Sequence, residues 1–401
     1  MSNTFIVSAA RTPVTSFQGT LSAVRSPDLG GAAIRAAVER AKISPDKIEM
    51  CIMGCVLPAG LGQSPARQAI FSAGLPKEVN ALTVNKVCSS GLVAVMLADQ
   101  IIRAGEANVV VAGGMESMTN SPYTLPNGRA GYRMGDGKVV DTMVNDGLWD
   151  IYTNQHMGAC AELCAKTHGV TRKEQDDFAT ESYKKALAAI EAGHFKDEIV
   201  AVEIKSKSPL PPFAKGGSGG IFVDKDEEPA KVRFEKFPTL PTPFAKDGTV
   251  TPANASSISD GAAAVVVMSD AHIKELGATP MARIISHATF SREPEWFTMA
   301  PVGAIKRALE KAKLTIADID LFEVNEAFSV VTLMAIRELK LDPKKVNISG
   351  GAVALGHPIG ASGARILTTL LYNMKRTGAK RGLATLCNGG GEATALIVER
   401  M

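Results

Sequence analysis

Val84-Asn85-Lys86-Val87-Cys88-Ser89-Ser90-Gly91 joins two runs of different character. Ala81-Leu82-Thr83-Val84 before it is apolar and β-prone, and Leu92-Val93-Ala94-Val95-Met96-Leu97-Ala98 after it reads as a buried helix. Cys88 thus stands where a strand ends and a helix begins. The first N–H groups of a helix have no partner inside it and carry partial positive charge. That setting takes a cysteine pKa from about 8.5 toward roughly 3.5–7.5, which predicts a readily ionised Cys88. Ser89, Ser90 and Gly91 are small and leave room for a substrate carbonyl. The stretch also fits one more buried core cysteine.

The same punctuation returns in the last third. Ser90-Gly91 opens a helix ending at Ala104-Gly105, followed by the apolar strand Asn108–Ala112 and Gly113-Gly114. Ser362-Gly363 opens a helix ending at Thr377-Gly378, followed by the strand Leu383–Cys387 and Gly389-Gly390-Gly391. Two βα-rich halves in the same order predict an α/β fold built by duplication, with the two Ser-Gly helices paired at a pseudo-two-fold axis. The turns ahead of those helices then face one shared site. The first offers Cys88; the second offers Gly356-His357-Pro358. Ser26 is expected to cap a helix running from Leu29 to about Ala41, with Pro27 and Asp28 in its first turn. Between the halves strand patterning is lost from about Met115 to Ala262, apart from one helix opened by the capping box Thr171-Arg-Lys-Glu174. Ser206–Gly220 reads as a flexible surface loop.

The 401 residues carry a net charge of only +3, with 21% charged side chains, which argues against nucleic acid or an anionic membrane as the main partner. No run reads as long and apolar enough to span a bilayer, and the N-terminus has no secretory pattern, so a cytoplasmic location is expected. Six cysteines without a secretory context predict free thiols. Cys51/Cys55 and Cys160/Cys164 each enclose three residues, a spacing wider than the usual structural zinc knuckle, and no metal is expected.

Cys88, His357, Cys387 and Asn325-Glu326-Ala327-Phe328 fit one chemistry together. Cys88 and His357 make a nucleophile with its base. Cys387 is a second thiol suited to moving a proton at carbon. Asn325 can fix a water or a carbonyl oxygen, or simply cap a helix. Backbone N–H groups at Cys88 and in the Gly389-Gly390 turn can hold an oxyanion.

These residues fall in six ordered motifs: Asn85–Gly91, Gly113–Met118, Asn254–Ser256 with Asp260–Ala263, Asn325–Phe328, Gly350–Gly360 and Cys387–Gly391. The chain resembles the thiolase family, in its acetyl-CoA acetyltransferase branch. The resemblance implies a thiolase fold with two duplicated βα core domains in an αβαβα arrangement plus an inserted loop domain. The implied division is 1–119 with 259–279, a loop domain at 120–258 that binds CoA, and 280–401. It implies a ping-pong Claisen condensation of two acetyl-CoA and the reverse thiolysis, with a broad-chain 3-ketoacyl-CoA thiolase as the alternative. Cys88 would carry the acetyl group, His357 would accept its proton, and Cys387 would take an α-proton. His357 with an Asn325-held water, and the backbone of Cys88 and Gly389, would form two oxyanion holes.

By the same resemblance Leu148, His156, Met157, Phe244, Ser256, Ala327 and Phe328 would line the pantetheine tunnel, with Ser256 bonding an amide. Lys231 or Arg233 would stand in for an arginine that in the family faces the CoA nucleotide. Phe297 matches a phenylalanine that one subgroup links to 2-methyl-branched substrates. Pro229 stands where a potassium-dependent subgroup has tyrosine. Acyl-CoA and CoA are the implied partners, with no cofactor, and a homotetramer is implied. A cysteine hydrolase and a silent acyl-CoA carrier are the rival classes; the first leaves Cys387 without a task, and the full Cys/His/Cys set opposes the second.

Overall fold

The structure is a computed structural model describing residues 3–204 and 221–401; the Ser206–Gly220 loop lies outside the described residues. Nine strands carry the fold: β1 Thr4–Arg11, β2 Met50–Gly54, β3 Asn80–Val84, β4 Val109–Ser117, β5 Ser259–Ser269, β6 Ala282–Ser291, β7 Leu321–Val324, β8 Arg381–Asn388 and β9 Glu392–Arg400. Their order across the sheet is β7-β8-β9-β6-β1-β5-β4-β2-β3. In the first half β3, β2 and β4 run parallel, and β5 and β1 follow antiparallel. In the second half β7 and β8 are parallel, and β9 and β6 follow antiparallel. A parallel bridge from Phe322 to Val346 stands where the first half has β3. The duplication legible in the sequence is therefore a repeat of strand order. The halves meet edge to edge at Phe5↔Arg283 and Ile6↔Ala282, a short junction that makes one continuous sheet.

Among the described residues eight helices exceed eight residues: α1 Ser26–Ala41, α2 Pro65–Ala73, α3 Ser90–Ala104, α4 Met157–Thr167, α5 Arg172–Glu191, α6 Ala300–Ala312, α7 Ser329–Leu339 and α8 Ser362–Thr377, of which α4 and α5 pack on α7 rather than on the sheet. The central strands β4 and β5 are buried on both faces, as continuous apolar runs require, while the edge strand β3 is partly exposed. One face of β2, β4, β5, β8 and β9 (Ile52, Val110, Val265, Leu386, Leu396) packs on Leu92 and Val95 of α3 and on Ile366, Leu367 and Leu370 of α8. The opposite face packs on α1 and α2 in the first half and on α6 and α7 in the second. Outer helices, sheet, paired central helices, sheet and outer helices make the five layers.

The central pair touches backbone to backbone. A Cβ on Gly363 would fall 2.3 Å from the Leu92 nitrogen, and one on Gly91 would fall 2.8 Å from the Ala364 nitrogen. Only hydrogen fits at either position. Gly363→Ala is expected to cost roughly 1–3 kcal/mol or more by overpacking, read as a lower urea midpoint; an unchanged midpoint contradicts this packing.

Four local expectations need correction. Ser26 is the first residue of α1 rather than its cap, and its hydroxyl accepts from the Ser117 N–H at 2.8 Å. Asn325 caps no helix, because α7 starts only at Ser329. Val87–Ala104 is long and apolar enough to cross a membrane by length and composition. That apolarity serves α3, most of which is buried at the centre of the layers. The middle segment holds α4 as well as α5, whose predicted capping box is present. Among the described residues no group of His, Cys, Asp and Glu could hold a metal.

Candidate active site

After β3 the chain turns sharply. Asn85 Oδ1 accepts from the Val87 N–H at 2.9 Å, and Ser90 Oγ accepts from the Lys86 N–H at 2.8 Å while donating to the Val87 carbonyl at 2.6 Å. Val87 is thereby held at φ 47°, a conformation a β-branched residue rarely adopts. The next residue is Cys88. The turn ahead of α8 also carries a residue at positive φ, reached from a short helix rather than a strand: Gly356 at φ 104° is followed by His357.

His357 Nδ1 lies 2.6 Å from Ser362 Oγ, which itself donates to the Pro358 carbonyl at 2.9 Å. A hydroxyl donates once, so Ser362 accepts from Nδ1–H. This tautomer leaves Nε2 as a bare lone pair, buried and without a partner among the described residues. Burial, then the Arg365 charge, pushes the imidazole down to about 3, so it is neutral at rest with its Nε2 lone pair free to accept.

Cys387 is the penultimate residue of β8 and is buried. Burial, then the proximity of Cys88, holds its thiol well above the usual range. Burial also pushes Cys88 up to about 12, outweighing N–H groups of Gly389 and of Cys88 itself that favour the thiolate. This reverses the sequence expectation: desolvation exceeds the pull of the helix N-terminus. Both sulfurs therefore rest as neutral thiols. Alkylation of Cys88 by iodoacetamide is expected to rise about tenfold per pH unit from pH 7 to at least about 9. Peptide mass analysis follows it; a plateau near pH 7 contradicts this balance.

Cys88, His357, Cys387 and Gly389 share one cavity of about 440 Å3. Leu148, His156, Met157, Phe244, Ser256, Phe297, Ala327 and Phe328 line it too. The His156 ring stacks on Phe244 with centroids 4.7 Å apart, and Phe244 and Phe297 meet Phe328 at steep angles. His156 Nδ1 caps α4 by accepting from the Gly158 N–H at 3.0 Å. Ser256 Oγ donates to the Ala327 carbonyl at 2.9 Å, keeping its lone pairs for a donor in the cavity.

Two sequence-predicted residues stand off the wall. Asn325 is buried behind His357, with Nδ2 3.5 Å from Nδ1 and Oδ1 3.5 Å from Arg365. Lys231 is half-exposed; its ammonium pairs with Ser16 and lies 3.6 Å from both Glu227 and Glu228, of which Glu228 lines the cavity. Glu228 carried no sequence signal. Glu116 did, inside Gly113–Met118, but no role was read from it. Its carboxylate accepts from the N–H groups of Val56, Leu57 and Gly360 at 2.9, 3.2 and 3.0 Å, binding the two halves together behind the site. Burial raises it to about 7.

Comparison with known proteins places the whole chain in one family. The family descriptions "Thiolase, N-terminal domain" and "Thiolase, C-terminal domain" match residues 4–271 and 278–400. An acetyl-CoA acetyltransferase of Cupriavidus necator is 52% identical over 400 residues, covering 100% of both chains. One of Yarrowia lipolytica is 50% identical, covering 99% of this chain and 96% of its own. The crystal structure of the Acat5 thiolase from Ascaris suum in complex with coenzyme A superposes with a TM-score of 0.93 at 42% identity, covering 100% of both. Two family domains in order, matched almost from end to end, fix the class: the chain belongs to the thiolase family.

Proposed function

We propose that this enzyme is an acetyl-CoA C-acetyltransferase that condenses two acetyl-CoA to acetoacetyl-CoA and CoA, and runs the reverse thiolysis. The observation that carries the reading is the meeting of Cys88, Cys387 and His357 in one cavity, with the Gly389 N–H at the Cys88 sulfur. Names of full-length relatives near 50% identity favour acetyl-CoA over a broad chain range.

Each resting state fits a step. The His357 Nε2 lone pair takes the Cys88 proton as sulfur attacks the acetyl carbonyl, and the backbone N–H groups of Cys88 and Gly389 receive the developing oxyanion. The departing CoA thiolate takes the proton of Cys387. A neutral thiol suits that donation, and the thiolate it leaves is a strong base. Cys387 then removes an α-proton from the second acetyl-CoA. The enolate carbon attacks the acetyl-Cys88 carbonyl, and the Cys88 sulfur leaves with the proton held on His357. Asn325, buried behind the ring, would hold the water that with His357 receives the thioester enolate oxygen. CoA is substrate and product, and no cofactor enters any step.

The aromatic collar of Phe244, Phe297 and Phe328 supports short acyl groups, and half-exposed Lys231 supports a contact with the anionic nucleotide end of CoA. The domain division read from sequence, with residues 120–258 as the CoA-binding loop domain, belongs to this reading, as does a cytoplasmic location. Exposed Tyr123, Leu125, Met134, Val139, Ile151 and Tyr152 come from one segment and support self-association as a homotetramer. The test is CoA-dependent cleavage of C4, C16 and 2-methyl-C4 3-ketoacyl-CoA. The reading expects C4 to exceed C16 by at least about tenfold. Equal cleavage of both favours the broad-chain thiolase, and release of free acid instead of acyl-CoA overturns the class of reaction.

A further inference from the structure

The two sulfurs come from opposite halves of the chain, on a turn and a strand end that share no ladder. What fixes the distance between them is a set of side chains beside each cysteine. Ser89 follows Cys88 and Asn388 follows Cys387. Ser89 Oγ donates to Asn388 Oδ1 at 2.7 Å, with both residues buried, and Thr394 Oγ1 donates to Ser89 Oγ at 3.1 Å. A second tie lies outside the first. Lys86 Nζ meets Glu392 Oε2 at 2.5 Å, and the other Glu392 oxygen accepts from Ser291 Oγ at 2.9 Å. Asn388 Nδ2, 3.4 Å from Glu392 Oε2, links the two ties.

Asn388 and Glu392 pair directly across the end of a hairpin whose turn is Gly389-Gly390-Gly391. Gly390 and Gly391 sit at φ 85° and 79°. Three glycines in a row leave a turn with many accessible conformations, yet this turn carries the Gly389 N–H that reaches the Cys88 sulfur. The Lys86–Glu392 pair is 27% and 30% exposed, and pairs so open to water add little stability. Its consequence is geometric.

We propose that Lys86, Ser89, Asn388 and Glu392 form a clamp across the seam that sets the spacing of the two sulfurs and so governs the carbon–carbon step more than acyl loading. They are positioning residues and touch no reacting atom in that role. The inference rests on the thiolase reading above. Loading also uses the Gly389 N–H and the Cys387 proton, but losing Cys387 altogether is expected to cost loading only about tenfold against about 10^3-fold for condensation, so the spacing of the sulfurs weighs less on loading. Condensation also needs the carbon deprotonated at Cys387 to reach the carbonyl on Cys88, and an error of about 1 Å in such an approach costs on the order of 100-fold.

The test separates the two half-reactions in Ser89→Ala, Lys86→Met, Glu392→Gln and the double variant Lys86→Met/Glu392→Gln. Rapid quench with labelled acetyl-CoA gives the loading rate, and steady-state acetoacetyl-CoA formation gives condensation. Each single variant is expected to lose at least about tenfold in condensation and less than about threefold in loading. The KM for acetyl-CoA is expected to hold, where a collapsed tunnel would raise it. The double variant is expected to be no worse than its weaker parent, because one tie is broken either way. Lys86 and Glu392 are partly exposed, so those variants keep the test open if Ser89→Ala fails to fold. Equal losses in the two steps, no loss in either, or additive losses in the double variant overturn the clamp. A wild-type enzyme that forms no acetyl-enzyme overturns the thiolase reading instead.

Discussion

Cys88→Ala is expected to abolish acetyl-enzyme formation and lower turnover by about 10^4-fold or more. Losses of that size follow removal of a covalent nucleophile, and the remaining thiol, Cys387, has its own task as acid and base in the cycle. Cys88 sits on the wall of the cavity and borders open space, so losing the sulfur leaves the fold intact. Its turn is held by Asn85 and Ser90 rather than by the thiol. The check is mass spectrometry of intact protein after acetyl-CoA: the wild type gains an acetyl group and the variant does not. A Cys88→Ala enzyme that still gains acetyl, or still exchanges label into CoA, locates the nucleophile elsewhere.

Cys387→Ala separates the two steps. Acetylation of Cys88 is expected to persist at roughly a tenth of its rate, since solvent can protonate the departing CoA less efficiently. Carbon–carbon bond formation is expected to fall by about 10^3-fold, because the second acetyl-CoA loses the thiolate that deprotonates it. His357 does not substitute: its proton affinity is depressed by burial, and it still holds the Cys88 proton at that stage. A trapped acetyl-enzyme is the expected product, identified by an acetylated Cys88 peptide. Equal loss of both steps contradicts the division of labour between the sulfurs.

Much of the fold was legible because its signals are local. Ser-Gly at the start and Gly at the end of each central helix are backbone requirements, and both pairs read correctly as α3 and α8. Cys88 and His357 were legible because each stands in the turn ahead of a Ser-Gly helix, and Cys387 because it stands near the end of the strand that follows the second of those helices. What the sequence hid is non-local. The two-pair junction between β1 and β6 depends on register between strands almost 280 positions apart. The ties Ser89–Asn388 and Lys86–Glu392 pair residues about 300 positions apart, and no spacing rule reports them. The acidity of Cys88 was misread for a similar reason: the helix end is visible in the sequence, while the apolar enclosure that outweighs it comes from other segments. Ser26 read as a cap because its pattern fits one, but a buried N–H on β4 claims its hydroxyl.

The paired corners at Val87-Cys88 and Gly356-His357 bear on how such a site could arise. Two identical half-length chains joined by exact symmetry would present the same side chain at both corners. A pair of matched thiols, or a pair of matched imidazoles, gives no partition between attack and proton acceptance. Covalent fusion removes that constraint, since each corner then mutates independently of its twin. The division of tasks at the seam is thus a freedom that only a single continuous polypeptide possesses.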